Sequence, residues 1–128
     1  MGVLERRVRA IRGAIQVTGN HPEAIESGVK ELLPAILEAN SLTREDLISV
    51  ILTCTPDLNA AFPAAFAREI GFGAIPLICA VEMDVPGSLP LVIRTMLHVE
   101  LPAAQAISHV YLRGAAALRQ DLAQDLAQ

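Results

Sequence analysis

An α+β domain, with a mixed β-sheet packed with two main helices, is predicted by three features of this sequence. Near the start, apolar and other residues alternate with a period of two. A longer stretch after it repeats apolar residues at three- and four-residue steps. Several later runs are short, apolar and rich in β-branched residues, with turn signals between them. The resulting order is β, α, β, α, β, β and a short final β, which suits one small layered domain. The 128 residues contain no internal repeat and no low-complexity linker, so residues 1–128 are expected to form a single unit.

The first strand is expected over Val8–Val17. Arg9, Ile11, Gly13, Ile15 and Val17 fall on one face, and Val8, Ala10, Arg12, Ala14 and Gln16 on the other. Thr18-Gly19-Asn20-His21 ends it, and Pro22 opens a helix because proline in the first turn sacrifices no needed N–H. That helix, Pro22 to Ala39, should bury Ile25, Val29, Leu32, Leu33, Ile36 and Leu37 as one stripe. Pro34 lies inside it and predicts a kink. Thr43 with Asp46 reads as a cap for a short helical turn.

Leu47–Thr53 reads as a buried strand, ended by Thr55-Pro56-Asp57. A second helix is expected through Ala60–Ile70, with Pro63 near its start and Gly71 as its cap. Ala74–Ala80 and Leu91–Val99 should be the third and fourth strands, with a turn at Val85-Pro86-Gly87-Ser88 between them. Val110–Leu112 makes a short fifth strand. From Gly114 on the chain is helical by propensity but weakly anchored, and the tail from about residue 119 is expected to move.

Composition narrows the function. A net charge of −4 argues against a general nucleic-acid binder, which needs an excess of cations to neutralise phosphates. No run reaches the roughly 18 uninterrupted apolar residues of a membrane span. The basic start lacks the apolar core of a signal peptide, so a cytoplasmic protein is expected. Cys54 and Cys79 sit in apolar surroundings without metal-ligand spacing, and reduced thiols fit them best. With only 3% aromatic residues the core must be built from small aliphatic side chains, which makes association of copies plausible. All the cations except Lys30 are arginines, whose planar fork pairs a carboxylate bidentately.

The chemistry centres on two of those arginines. Arg94 interrupts the apolar run LPLVIRTMLHV, and Arg12 shares its face with alanines. A cation on an apolar strand demands an anionic partner or a route to water. Snorkelling, an internal salt bridge and a bound dicarboxylate all meet that demand. Glu82 ends the third strand three residues after Cys79, and Tyr111 is the sole tyrosine. His21, His98 and His109 are scattered, and no Walker A loop, G-x-S-x-G, G-x-G-x-x-G or metal cluster is present. An enzyme built this way must work by positioning and electrostatics, with neither nucleophile nor cofactor.

Five blocks in order carry a family resemblance. They are R-x-I-R-G-A at Arg9–Ala14, T-P-D-L-N-A-A-F-P-A at Thr55–Ala64, C-x-x-E-M-D-V at Cys79–Val85, G-S-L-P-x-x-I-R at Gly87–Arg94 and H-V-Y-L at His109–Leu112. Together they resemble the monofunctional AroH-class chorismate mutases. The resemblance implies a ferredoxin-like relative assembled as a homotrimeric pseudo-barrel, with sites in clefts between subunits and chorismate converted to prephenate. It further implies that Arg94 lies beside the breaking ether bond and that Arg12, with Tyr111 nearby, binds a carboxylate. Glu82 and Cys79 would engage the ring hydroxyl, while Phe62, Ala64, Arg68 and Leu118 border the pocket. Three departures stand out: Ala65 at a usually polar position, Arg119-Gln120-Asp121-Leu122 in place of R-P-D-L, and about five extra residues before the first strand. Two other readings suit a small protein with a strand arginine. One is an enamine deaminase resembling the RidA family, and the other is a non-catalytic module that binds carboxylate metabolites.

Overall fold

A computed structural model describes residues 5–118. Strand β1 (Arg6–Gln16) leads into helix α1 (Pro22–Ala39), a single 3-10 turn at Arg44–Asp46, and strand β2 (Leu47–Cys54). A short helix α2 (Pro63–Ala67) follows, then β3 (Leu77–Val81), β4 (Val92–Pro102) and β5 (Val110–Leu112). The five strands form one sheet in the order β3-β2-β4-β1-β5. The β1–β4 and β2–β4 pairings are antiparallel, whereas β1–β5 and β2–β3 are parallel, so the sheet is mixed as expected.

Alternation along β1 assigns the two faces. Ile11 and Ile15 are fully buried beneath α1, with Val29, Leu32, Leu33 and Ile36 of the helix among the core residues. Ile93, Leu97, Val50 and Leu52 complete this layer from the neighbouring strands. Close approach of helix to sheet depends on Gly28, where an added Cβ would lie 2.5 Å from Val17 Cγ1. The helix starts at His21, whose Nδ1 accepts the Ala24 N–H at 3.3 Å, with Pro22 in its first turn. It continues through Pro34 to Ala39 without a division. Pro34 lies on the exposed side, where water can satisfy the carbonyl that its ring leaves unbonded.

Several boundaries differ from expectation. The second helix is α-helical only over Pro63–Ala67, not Ala60–Ile70, and Arg68–Phe72 forms a wider turn. Its cause is local: Ile70 leaves helical geometry and Gly71 takes φ +98°. Arg44 then donates to the Ile70 carbonyl through Nε at 3.0 Å and a second nitrogen at 2.6 Å. The third strand begins at Leu77, not Ala74, since Pro76 has no N–H for a ladder. The fourth runs on to Pro102 because its antiparallel partner β1 itself reaches back to Arg6. Arg113–Leu118 is a 3-10 segment, and the expected mobile tail lies outside the described residues.

The end of α1 is locked by Asn40, which is 2% exposed. Its Nδ2 donates to the Ile36 and Ser108 carbonyls at 2.9 Å, and its Oδ1 accepts the Ser108 N–H at 2.7 Å. This clamp sets the approach to β5. At the start of β5, His109 Nδ1 accepts the Arg12 backbone N–H at 3.0 Å. Burial, and secondarily the Arg12 charge, lowers the His109 pKa from its ordinary value of 6.5.

Two predictions follow from these contacts. Asn40→Ala leaves buried backbone groups without partners and should lower stability by about 3 kcal/mol in urea unfolding. A loss below about 0.5 kcal/mol would remove the clamp from the account. The second concerns pH. Because the folded-state pKa of His109 is depressed, its contribution is complete above the unfolded value and is lost as pH falls towards the folded one. The stability difference between the parent and His109→Asn, whose side-chain oxygen can accept the same bond, should therefore shift in favour of the variant as pH falls below 6.5. A difference independent of pH would contradict the coupling.

Candidate active site

The sheet face away from α1 presents its side chains in lateral rows set by the register. Ala14 pairs with both Tyr111 and Arg94, Arg94 with Thr53, and Thr53 with Ala80. One row therefore crosses all five strands as Tyr111, Ala14, Arg94, Thr53 and Ala80. The next row holds Arg12, Met96, Ile51 and Ile78. Alternation thus places Arg12 and Arg94 on a common face from adjacent strands, on either side of the Gly13–Thr95 pair.

Arg94 sits between two hollows. The first, about 260 Å³, is walled by Arg12, Arg94, Thr53, Met96 and Tyr111. The second, about 420 Å³, is bordered by Arg94, Thr53, Glu82, Met83 and Leu89. Tyr111 is held by a small apolar cluster with Ala14, Val92 and Ala115, against which Leu89 and Leu118 pack. Leu118 thereby borders the Tyr111 end of the site. Its base is tied to α1 by Arg113, which donates to Glu31 and to Ser27.

Glu82 reaches this face from just beyond β3, where its N–H extends the pairing by donating to the Cys54 carbonyl at 2.8 Å. Its Oε2 lies 3.2 Å from Arg94 Nε and accepts the Thr53 hydroxyl at 2.6 Å. The arginine contact is one of charge: Nε–H is not aligned for a hydrogen bond and finds no acceptor among the described residues. The Glu82 side chain is 15% exposed and that of Arg94 is 39% exposed, so the pair is shielded on the acid's side while the guanidinium remains reachable. Among the described residues Arg12 forms no side-chain ion pair. The arrangement can hold a dianion: one cation without a partner, a second partly balanced, and a carboxylate beside it.

The remaining candidates lie elsewhere. Cys79 pairs with Leu52, so its side chain falls on the helix side of the sheet, where it lines a third hollow with Cys54 and Phe62. Both cysteines are free, and burial pushes the Cys54 thiol up to about 12. Phe62 is 75% exposed, Ala64 is buried in α2 and Arg68 is exposed at its end. The loop that leads into α2 is fixed by two side chains. Asn20 Oδ1 accepts the Asn59 and Ala60 N–H groups at 2.9 Å, and Asp57 accepts the Leu91 N–H at 3.0 Å. One chain therefore gathers Arg12, Glu82, Arg94, Tyr111 and Leu118, and keeps Phe62, Ala64, Arg68 and Cys79 apart from them.

Two contributors were not singled out by sequence. Thr53 was only the last residue of an apolar strand, although alternation does put it on the same face as Ile51. His109 was one of three scattered histidines, and its bond to the Arg12 backbone spans 97 residues.

Comparison with known proteins gives the family. The profile of the family described as chorismate mutase type I matches residues 8–122. The chain is 50% identical over 117 residues to chorismate mutase AroH of Thermus thermophilus, covering 90% of this chain and 96% of that protein. It is 43% identical over 117 residues to chorismate mutase AroH of Bacillus subtilis strain 168, covering 90% and 92% respectively. Among solved structures, a chorismate mutase from Clostridium thermocellum superposes with a TM-score of 0.80 at 45% identity, over 85% of this chain and 98% of that one. With a mixed sheet whose open face carries the two strand arginines, and with relatives of this similarity along nearly its whole length, the chain belongs to the type I, AroH-class chorismate mutase family.

Proposed function

We propose that this protein converts chorismate to prephenate, a step towards aromatic amino acids in the cytoplasm, and that Arg94 is its principal catalytic group. The observation that carries the reading is Arg94 and Arg12 in neighbouring rows of one sheet face, with Glu82 held against Arg94. In the rearrangement an ether C–O bond breaks as a C–C bond forms within one molecule. No proton, electron or cofactor is exchanged. Negative charge grows on the ether oxygen and positive charge on the ring, so a fixed guanidinium beside that oxygen stabilises the transition state more than the substrate. Arg12 binds a substrate carboxylate, with Tyr111 closing that end. Together they select the compact conformer in which the bonding carbons face each other. Glu82 accepts the ring hydroxyl and lies near the positive charge that develops there.

The site is completed by a second copy. Phe62, Ala64, Arg68 and Cys79 line neither of the hollows beside Arg94 within one chain, and a homotrimer supplies them from a neighbour. Exposed Phe62, Ile78, Val81, Met83 and Val85 gather about the edge strand β3, and apolar surface of this kind favours association. Cys79 then reaches the ring hydroxyl only across the interface, opposite Glu82. No helix among the described residues is long and apolar enough to cross a membrane.

Loss of the chorismate absorbance measures the reaction directly. Arg94→Ala and Arg94→Lys should each lose about 3 kcal/mol or more of transition-state stabilisation, since lysine cannot present the planar fork. Near-parental turnover by both variants would end the assignment of Arg94. The shared site has its own test. When Arg94→Ala and Arg68→Ala chains are unfolded together and refolded, random mixing should restore about a quarter of the sites. Activity no higher than the sum of the separate variants would place both residues in one chain's site.

A further inference from the structure

We propose that Thr53 is a positioning residue of this site, holding the Glu82 carboxylate so that it steadies Arg94 without capturing it. The inference rests on the reading of Arg94 and Glu82 given above and deepens it. Thr53 lies on the central strand β2 and is the direct register partner of Arg94, so its hydroxyl emerges beside the guanidinium. That hydroxyl donates to Glu82 Oε2 at 2.6 Å, a short charge-assisted bond in a half-buried setting. The same oxygen is the one that stands 3.2 Å from Arg94 Nε.

A carboxylate and a guanidinium left to themselves settle into a planar, two-bonded fork. Such a fork would direct the donors of Arg94 at Glu82 and away from a substrate oxygen. Here Nε–H is not aligned with Oε2, and the pair is a charge contact only. Thr53 accounts for this. By occupying the favoured direction at Oε2, it fixes the rotation of the carboxylate. Oε1, which accepts no hydrogen bond among the described residues, is left for a hydroxyl of the substrate. Thr53 and Arg94 line both hollows on this face, which places the hydroxyl at the junction of the Arg12 and Glu82 ends. Its backbone needs come from the strand ladder, so the hydroxyl is not required for the sheet to form.

Valine matches threonine in shape and favours strands, so Thr53→Val removes the hydroxyl while preserving the packing. Steady-state kinetics with chorismate should show kcat lowered about tenfold, with KM changed by less than about threefold. Thr53→Ser keeps the donor and should stay within about threefold of the parent. In a Glu82→Gln background the valine substitution should add little, because the carboxylate it positions is gone. Parental kcat in Thr53→Val, or the same loss in both backgrounds, would overturn the proposal. Parental activity in Glu82→Gln alone would instead remove the role of the carboxylate, and the positioning role with it. Thermal unfolding of each variant separates these outcomes from a folding defect, and Thr53→Ala provides the same comparison if the valine variant does not fold.

Discussion

The organising constraint is that helix α1 covers one face of the sheet and leaves the other to side chains that a closed core would not tolerate. Ile11, Ile15, Ile93 and Leu97 send their apolar atoms under the helix, where they are fully buried. Alternation then obliges Arg12, Arg94 and Thr53 to point the other way. A slip of one residue in the register would bury the arginines and expose the isoleucines, and the cost of that exchange holds the arrangement in place. The chemical face is thus a by-product of how the core is filled.

Within that frame the site is built from pieces far apart in sequence. The central strand β4 carries Arg94, and its neighbours β1 and β2 bring Arg12 and Thr53 alongside. Glu82 arrives from the edge because β3 pairs in parallel with β2 and its chain continues past the Cys54 carbonyl. The loop before α2 is anchored through Asn20 and Asp57, so Phe62 and Arg68 are presented outward in a defined place. A reaction that needs only a rigid field of charge is well matched to groups mounted on strands, since little must reorganise as the transition state forms.

Much of this was legible in the sequence. The stripe of α1, its proline-marked start and the alternation of β1 gave that helix and strand because each is a local consequence of side-chain period. An arginine amid LPLVIRTMLHV marked itself, since an unpaired cation on an apolar strand needs a reason. The shorter elements were less well read. Gly71 marks a stop, but the helix before it is shorter than its apolar pattern because Ile70 leaves helical geometry, where its carbonyl meets Arg44. Pro76 delayed β3, and β4 outran its apolar run because strand length is decided by the partner.

Sequence alone therefore determined the fold class, the two arginines and, through its ordered motifs, the family. Those are properties of local period and of residues that are costly where they stand. Only the tertiary structure decided that Glu82 meets Thr53, that His109 accepts from the backbone of Arg12, and that Cys79 turns to the opposite face from Glu82. The two contacts depend on strand order and register, which bring together residues 29 and 97 positions apart, and the turn of Cys79 follows from its pairing with Leu52.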